Sequence, residues 1–371
     1  MKKNLLVGLI ILLYIFAGAQ KNYLLVGTYT TGKSQGVYVY HFNSATGDFD
    51  SVSMIKTPNP SYLAVSPDQK FVYAVNENAK NGNGGEVAAF AFDKSDGKLS
   101  FINQQRSGGD DPCYVSVDKM GKWIAIANYT SGSLSVLPIN KNGGVDSATT
   151  VIQHNGYSVN SERQQGPHVH CTIFSKDNKY LFATDLGTDK VMIYSFDERS
   201  GNVTEEGSIM SEPGAGPRHF TFHPNNKFAY LIEEMTGTIS SYRYVGGQFE
   251  LLQNISALPP DYMGPVESAD IHTSPDGRFL YASNRGESNT IGIFKIDQKT
   301  GWLTLLRHQS TLGKTPRNFN FDPSGNFLLA ANQNSDNIVI FKVDKKTGLL
   351  SDTGKRINVG NPVCVKWIQN R

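Results

Sequence analysis

TPRNFNFDPSGNFLLAANQ, residues 315–333, holds two apolar runs separated by the turn signal D-P-S-G. The same phrase stands at 59–77 (NPSYLAVSPDQKFVYAVNE), 111–129 (DPCYVSVDKMGKWIAIANY), 166–186 (GPHVHCTIFSKDNKYLFATDL), 216–234 (GPRHFTFHPNNKFAYLIEE) and 268–285 (SADIHTSPDGRFLYASNR). Leading prolines Pro60, Pro112, Pro167, Pro217, Pro316 and Pro362 recur about every 50 residues, and the copy at Ser268 fills the one doubled interval. Each copy runs on into a further apolar stretch (KVMIYSF, TIGIFKI, NIVIFKV), and most then turn through D-x-x-x-G-x-L into a last short strand. Short apolar runs with period two, bounded by turn residues, are strands joined as hairpins. Four such strands per unit, with sheet faces that only a neighbouring unit can cover, specify a propeller blade.

Six units are complete. The C-terminal NPVCVKWIQ matches only a first strand, and the N-terminal NYLLVGTYT, GVYVYHF and FDSVSM supply the other three. Joined, they make a seventh blade in which the two ends of the chain pair and leave no open sheet edge. The expected fold is therefore all-β: a seven-bladed β-propeller, one domain over residues 20–371, closed by its terminal strands. Residues 1–19 stand apart: Lys2 and Lys3, an apolar run from Leu5 to Phe16, then Ala17-Gly18-Ala19 read as an export signal cut before Gln20. That run is short of the ~20 residues that span a bilayer, and the expectation is a protein exported to the periplasm or the medium without membrane insertion, acting as a monomer.

Among its 371 residues, Lys+Arg 35 against Asp+Glu 33 provide no field for a nucleic acid or an anionic membrane surface. Cys113, Cys171 and Cys364 cannot all pair within the chain, show no CxxC spacing, and read as small buried apolar residues. No GxSxG, Walker A or GxGxxG sequence occurs, so nothing signals a serine hydrolase, an NTPase or a dinucleotide enzyme. His168 and His170 could supply half a zinc site, but no third ligand is signalled, and a metal is not expected.

The repeat also serves as a ruler. With each leading proline as offset zero, two residues removed from the third copy and the fifth started at Ser268, offset one is Ser61, Cys113, His170, Arg218, Ala269, Arg317 and Val363. Offset seventeen is Glu77, Tyr129, Leu186, Glu234, Arg285 and Gln333, with Thr28 in the composite blade. The first row begins strand one and the second ends its antiparallel neighbour, so both lie at one mouth of the ring. A histidine, three arginines and a glutamate gather there, with Asp185 and Glu233 just beneath. Tyr62, Tyr114 and Tyr129 near the same mouth could stack on a ring-shaped ligand or serve as packing.

GPHVH, DLGTDKVMIYSFD, GPRHFTFHPNNKFAY, SPDGRFLYASNRG and TPRNFNFDPSGNFLLAANQ, taken in order, resemble the bacterial seven-bladed lactonase family, which includes 6-phosphogluconolactonases and has fungal carboxymuconate cyclases as relatives. The resemblance spans the mature chain and implies a propeller enzyme acting on a lactone without metal or cofactor; the arginines suit an anionic, oxygen-rich ligand. The family's functional His, Arg, Glu and Arg fall on His170, Arg218, Glu234 and Arg285. Glu234, His170 and Arg218 are expected to be catalytic, with Glu234 or His170 as the base. Arg285, Arg317, His168 and His219 are expected to bind substrate. The rival readings are a lactonising cyclase using the same arginines for carboxylates, and a binding propeller of the cell envelope.

Overall fold

The computed structural model describes residues 21–79 and 84–369; the export signal expected over residues 1–19 lies outside them. Seven four-stranded antiparallel sheets follow one another around a ring, six of them in simple sequential strand order. Blades 2 to 7 occupy residues 63–106, 112–153, 169–210, 217–256, 268–310 and 316–358. Blade 1 takes Lys21–Thr28, Gly36–Asn43 and Phe49–Lys56 from the N-terminal end and Pro362–Ile368 from the C-terminal end. Pairing of Leu25 with Lys366 and of Val26 with Val365 closes the ring as the composite blade requires.

Period two explains why the inner strands are apolar on both faces. Tyr23 and Leu25 pack into the cluster shared with blade 2, whereas Leu24 and Val26, one residue over, pack against Leu329 and Ile340 of blade 7. The core is thus a series of blade-to-blade layers with no central apolar centre. The outermost strands show what is left when one neighbour is missing: every residue of Val203–Met210 is exposed or half-buried.

The glycine of the turn before each blade's last strand, D-x-x-x-G in four of the seven, has a specific partner. Gly47, Gly97, Gly143, Gly201, Gly247, Gly301 and Gly348 all have positive φ. Each lies flat against an aromatic ring of the preceding blade: Phe327, Tyr23, Phe71, Trp123, Tyr180, Phe228 and Phe279. A Cβ at these glycines would come within 2.0–2.8 Å of that ring, so both backbone conformation and contact demand glycine.

Candidate active site

Both rows reach one mouth, and two backbone devices put them there. At offset one, Cys113, His170, Arg218, Arg317 and Val363 are each the extra residue of a β-bulge in strand one. A bulge interrupts the ladder and re-aims a side chain. At offset seventeen, the N–H donates to the carbonyl just before offset zero: Glu77 to Asn59 at 3.1 Å, Tyr129 to Asp111 at 3.0 Å, Glu234 to Gly216 at 2.7 Å, Arg285 to Glu267 at 2.9 Å. The same bond in blade 1 runs from Tyr29 to Asn361 at 3.1 Å. Tyr29, not Thr28, is therefore the composite blade's member of the row. Thr28 is fully buried, and its hydroxyl donates to the Gly36 carbonyl. Thr28 pairs with Pro362 and so stands at offset sixteen; the ruler slipped by one residue because strands one and two of this blade come from opposite ends of the chain.

A cavity of about 240 Å³ opens at this mouth, lined by Glu77, Cys113, Tyr129, Arg163, His170, Glu234, Glu267, Arg285 and Arg317. Glu234 is its electrostatic centre. Arg163 Nη2 donates to Oε1 at 2.7 Å, while Arg218 Nε and Arg285 Nη2 meet Oε2 at 2.7 and 2.9 Å. Burial alone would raise this carboxyl, but Arg285, Arg218 and Arg163 outweigh it and hold it well below the usual carboxylate range. A carboxylate so held, with both oxygens occupied, is a poor proton acceptor. Its geometry favours an organiser of arginines over the base expected of Glu234.

Arg218 is the largest fully buried side chain and does not line the cavity. It grips Glu234 from below, and its Nη1 donates to the Ala269 carbonyl at 2.7 Å and to His219 Nε2 at 3.3 Å. Because Nε2 accepts, the His219 proton sits on Nδ1, which donates to Asp270 Oδ1 at 2.7 Å. Burial, with the Arg218 charge, pushes His219 down to about 4 against the pull of Asp270. His219 thus lies beneath the cavity, edge-on to the stacked rings of Tyr62 and Tyr114, whose centroids are 3.9 Å apart. These groups belong to the layer under the site, away from the expected substrate contact.

His170 does face the cavity. Burial first, then Arg218, His219, Arg317 and Arg285, push it well below the ordinary histidine value, so the imidazole is neutral at pH 7. Its Nδ1 is buried without a hydrogen-bond partner. His168 stays behind, stacked on Tyr129 with centroids 4.5 Å apart and Nδ1 bonded to the Tyr129 carbonyl; it shapes a wall of the site without lining it. Asp185 and Glu233 turn away from the mouth, the first to His154 at 2.8 Å, the second to Ser240 at 3.1 Å.

Three contributors were not among the residues expected from the sequence. Arg163 arrives on the segment 154–167 between blades 3 and 4, and Glu267 lies just outside the row. Tyr29 donates its hydroxyl to both oxygens of Glu77 at 2.9 Å, and Arg317 rests on the Tyr29 ring, 5.5 Å from its centroid. Among the described residues, Arg317 has no carboxylate within ion-pair distance. It is the guanidinium most available to an incoming anion.

A ring of seven blades around an arginine-rich mouth defines a class, and the sequence places the chain within it: residues 23–367 match the family described as Lactonase, 7-bladed beta-propeller, and the chain belongs to that family. The 6-phosphogluconolactonase of Bacillus subtilis is 38% identical over 346 residues, covering 92% of this chain and 97% of that protein. The 6-phosphogluconolactonase of Formosa agariphila is 39% identical over 322 residues, covering 85% and 91%. The solved structure of the periplasmic gluconolactonase of Pseudomonas aeruginosa superposes with a TM-score of 0.90 at 36% identity, covering 95% of this chain and all of that one.

Proposed function

We propose that this protein is a lactone hydrolase that opens a sugar lactone, a cyclic carboxylic ester, to its aldonic acid in the Glu234 cavity. The observation that carries the reading is the pairing, in one cavity, of a neutral buried His170 with guanidiniums already set in place by Glu234. The names of the relatives, 6-phosphogluconolactonase and gluconolactonase, support the same reaction class.

The chemistry follows from those groups. Water adds to the lactone carbonyl, and the negative charge on the former carbonyl oxygen develops among Arg285 and Arg317, which need no reorganisation to meet it. His170 takes the proton from that water as the C–O bond forms. The tetrahedral intermediate then collapses, the ring C–O bond breaks, and His170 returns the proton to the departing ring oxygen. The arginines that keep His170 weakly basic are the groups an oxyanion neutralises, so its basicity rises as the transition state forms. Glu234 and Arg218, the latter shielded from the cavity, hold this arrangement in place.

Export to the periplasm is the matching proposal for location. It rests on residues 1–19 and on the periplasmic relative. Among the described residues no helix is long and apolar enough to cross a membrane. The deciding experiment measures hydrolysis of glucono-δ-lactone and of its 6-phosphate by purified protein at pH 6–7 against heat-killed protein, since sugar lactones also open unaided. Acceleration of either, abolished by His170→Gln, is expected. A rate equal to the uncatalysed one with both substrates would overturn the lactonase reading. Fractionation with N-terminal sequencing would show a mature protein starting at Gln20; an intact N-terminus in the cytoplasm would overturn export.

A further inference from the structure

Arg163 differs from the other two arginines on Glu234 in its origin and exposure. Arg218 and Arg285 come from the repeat and are buried, with side-chain exposures of 1% and 10%. Arg163 comes from an inter-blade segment, and 42% of its side chain is exposed. From there it reaches inward to Glu234 Oε1 and to the Tyr129 hydroxyl at 3.1 Å.

Its backbone is held firmly. Asn160 Oδ1 accepts the N–H groups of Glu162 and Arg163, both at 3.0 Å. The next residue, Gln164, is fully buried and donates to the Leu186 carbonyl and to Asp189 Oδ1, both at 2.8 Å. Asp189 also accepts the Ser158 hydroxyl at 2.5 Å and the N–H groups of Gly214 and Gly216 at 2.7 Å. Gly216 in turn accepts the Glu234 N–H. One buried carboxylate therefore ties the foot of the Arg163 segment to the strand end that places Glu234. The backbone is fixed, and freedom is confined to the solvent-facing side chain.

The departure of Arg163 leaves Glu234 compensated, since Arg218 and Arg285 both sit on Oε2. It also frees Oε1 to accept a substrate hydroxyl. Arg317, without an ion pair among the described residues, lines the same cavity. A ligand carrying a phosphate or carboxylate offers Arg163 a second anion within the site, in the two-point geometry a guanidinium prefers.

We propose that Arg163 is a specificity-determining arm that leaves Glu234 for the acidic substituent of a lactone, so that the site selects anionic over neutral lactones. This rests on the lactonase reading, and the experiment separates the two. Wild type, Arg163→Gln and Arg163→Lys are compared on 6-phosphogluconolactone and glucono-δ-lactone, with kcat and KM resolved. Loss of a charge-assisted pair predicts that Arg163→Gln lowers the ratio of the two kcat/KM values by about 10–100-fold, through KM for the phosphorylated substrate. Arg163→Lys, a point charge, restores part of it. Equal losses on both substrates, no loss on either, or a wild type with the same KM for both would overturn the arm. Wild-type turnover of neither substrate would overturn the lactonase reading. Calorimetry with 6-phosphogluconate then reads the arm alone: it stands if Arg163→Gln weakens binding, and falls if binding is unchanged or absent in wild type.

Discussion

Glu77 and Glu234 stand at the same place in blades 2 and 5, and the same backbone hydrogen bond holds each at the mouth. Glu234 receives three guanidiniums within 2.9 Å; Glu77 receives the hydroxyl of Tyr29 and, among the described residues, no ion pair. One residue type in one backbone position thus becomes the hub of a buried ion cluster on one side of the cavity and a tether for an aromatic wall on the other. The repeat supplies positions, and the neighbours across the mouth supply roles.

The sharpest way to break this contrast is to remove one charge from each side. Glu234→Gln leaves guanidiniums in a buried site with a neutral partner. Breaking such a cluster costs about 3–5 kcal/mol, so a large fall in the denaturation midpoint should accompany loss of turnover. Glu77→Gln keeps an acceptor for Tyr29 and should cost about 1 kcal/mol or less, with most activity retained. Equal damage from the two substitutions would show that the sides of the cavity are equivalent.

His170→Gln should reduce kcat by about 10²–10⁴-fold with the fold intact, as expected for loss of a general base. Full activity in that variant would return the base role to another group. The pH dependence sharpens the same point. His170 must be neutral to act and is held well below the ordinary value, so kcat/KM should stay flat as pH falls from 7 through 6.5 and decline only at lower pH. An acid limb centred at 6.5 would place the essential base outside this cluster. Stability carries the matching sign. Unfolded histidine takes up a proton near 6.5, whereas buried His219 does so only at about 4. Between those values the unfolded state binds more protons, and stability falls with falling pH by up to about 1.4 kcal/mol per unit for each such histidine.

A smaller effect is expected at Thr315. The residue before offset zero has positive φ in five blades: Asn59, Asp111, Gly216, Thr315 and Asn361. Thr315, at φ 59, is the β-branched exception. Thr315→Asn should raise stability by about 1 kcal/mol, read from the denaturant midpoint. An unchanged midpoint would mean that the left-handed conformation carries no penalty beside Arg317.

Much of the site was legible because the offsets follow the backbone. His170, Glu234, Arg285 and Arg317 meet in one cavity as their rows require. Arg218 and His219 belong to those strands too, but burial directs them beneath the cavity, and alternation along a strand does not reveal depth at a bulge. Arg163 was missed because the segment 154–167 has no counterpart in the other copies. Tyr29 was missed because blade 1 is built from two ends of the chain, and its register could not be counted along one.

The seven-bladed ring followed from the sequence alone because its causes are local or periodic. Apolar alternation marks the strands, turn residues space them at a constant interval, and a glycine at one turn position meets an aromatic ring in the preceding blade. A repeat that cannot bury its own faces must close on itself, and the unmatched ends could pair only with each other. Tertiary structure alone decided what the mouth does. Which arginines meet Glu234, which lies buried, which forms no ion pair among the described residues, and that His170 is the neutral group among them all depend on contacts between different blades. Ion pairs at 2.7–2.9 Å form only after bulges and inter-blade segments have set side-chain directions, and no single repeat contains that information.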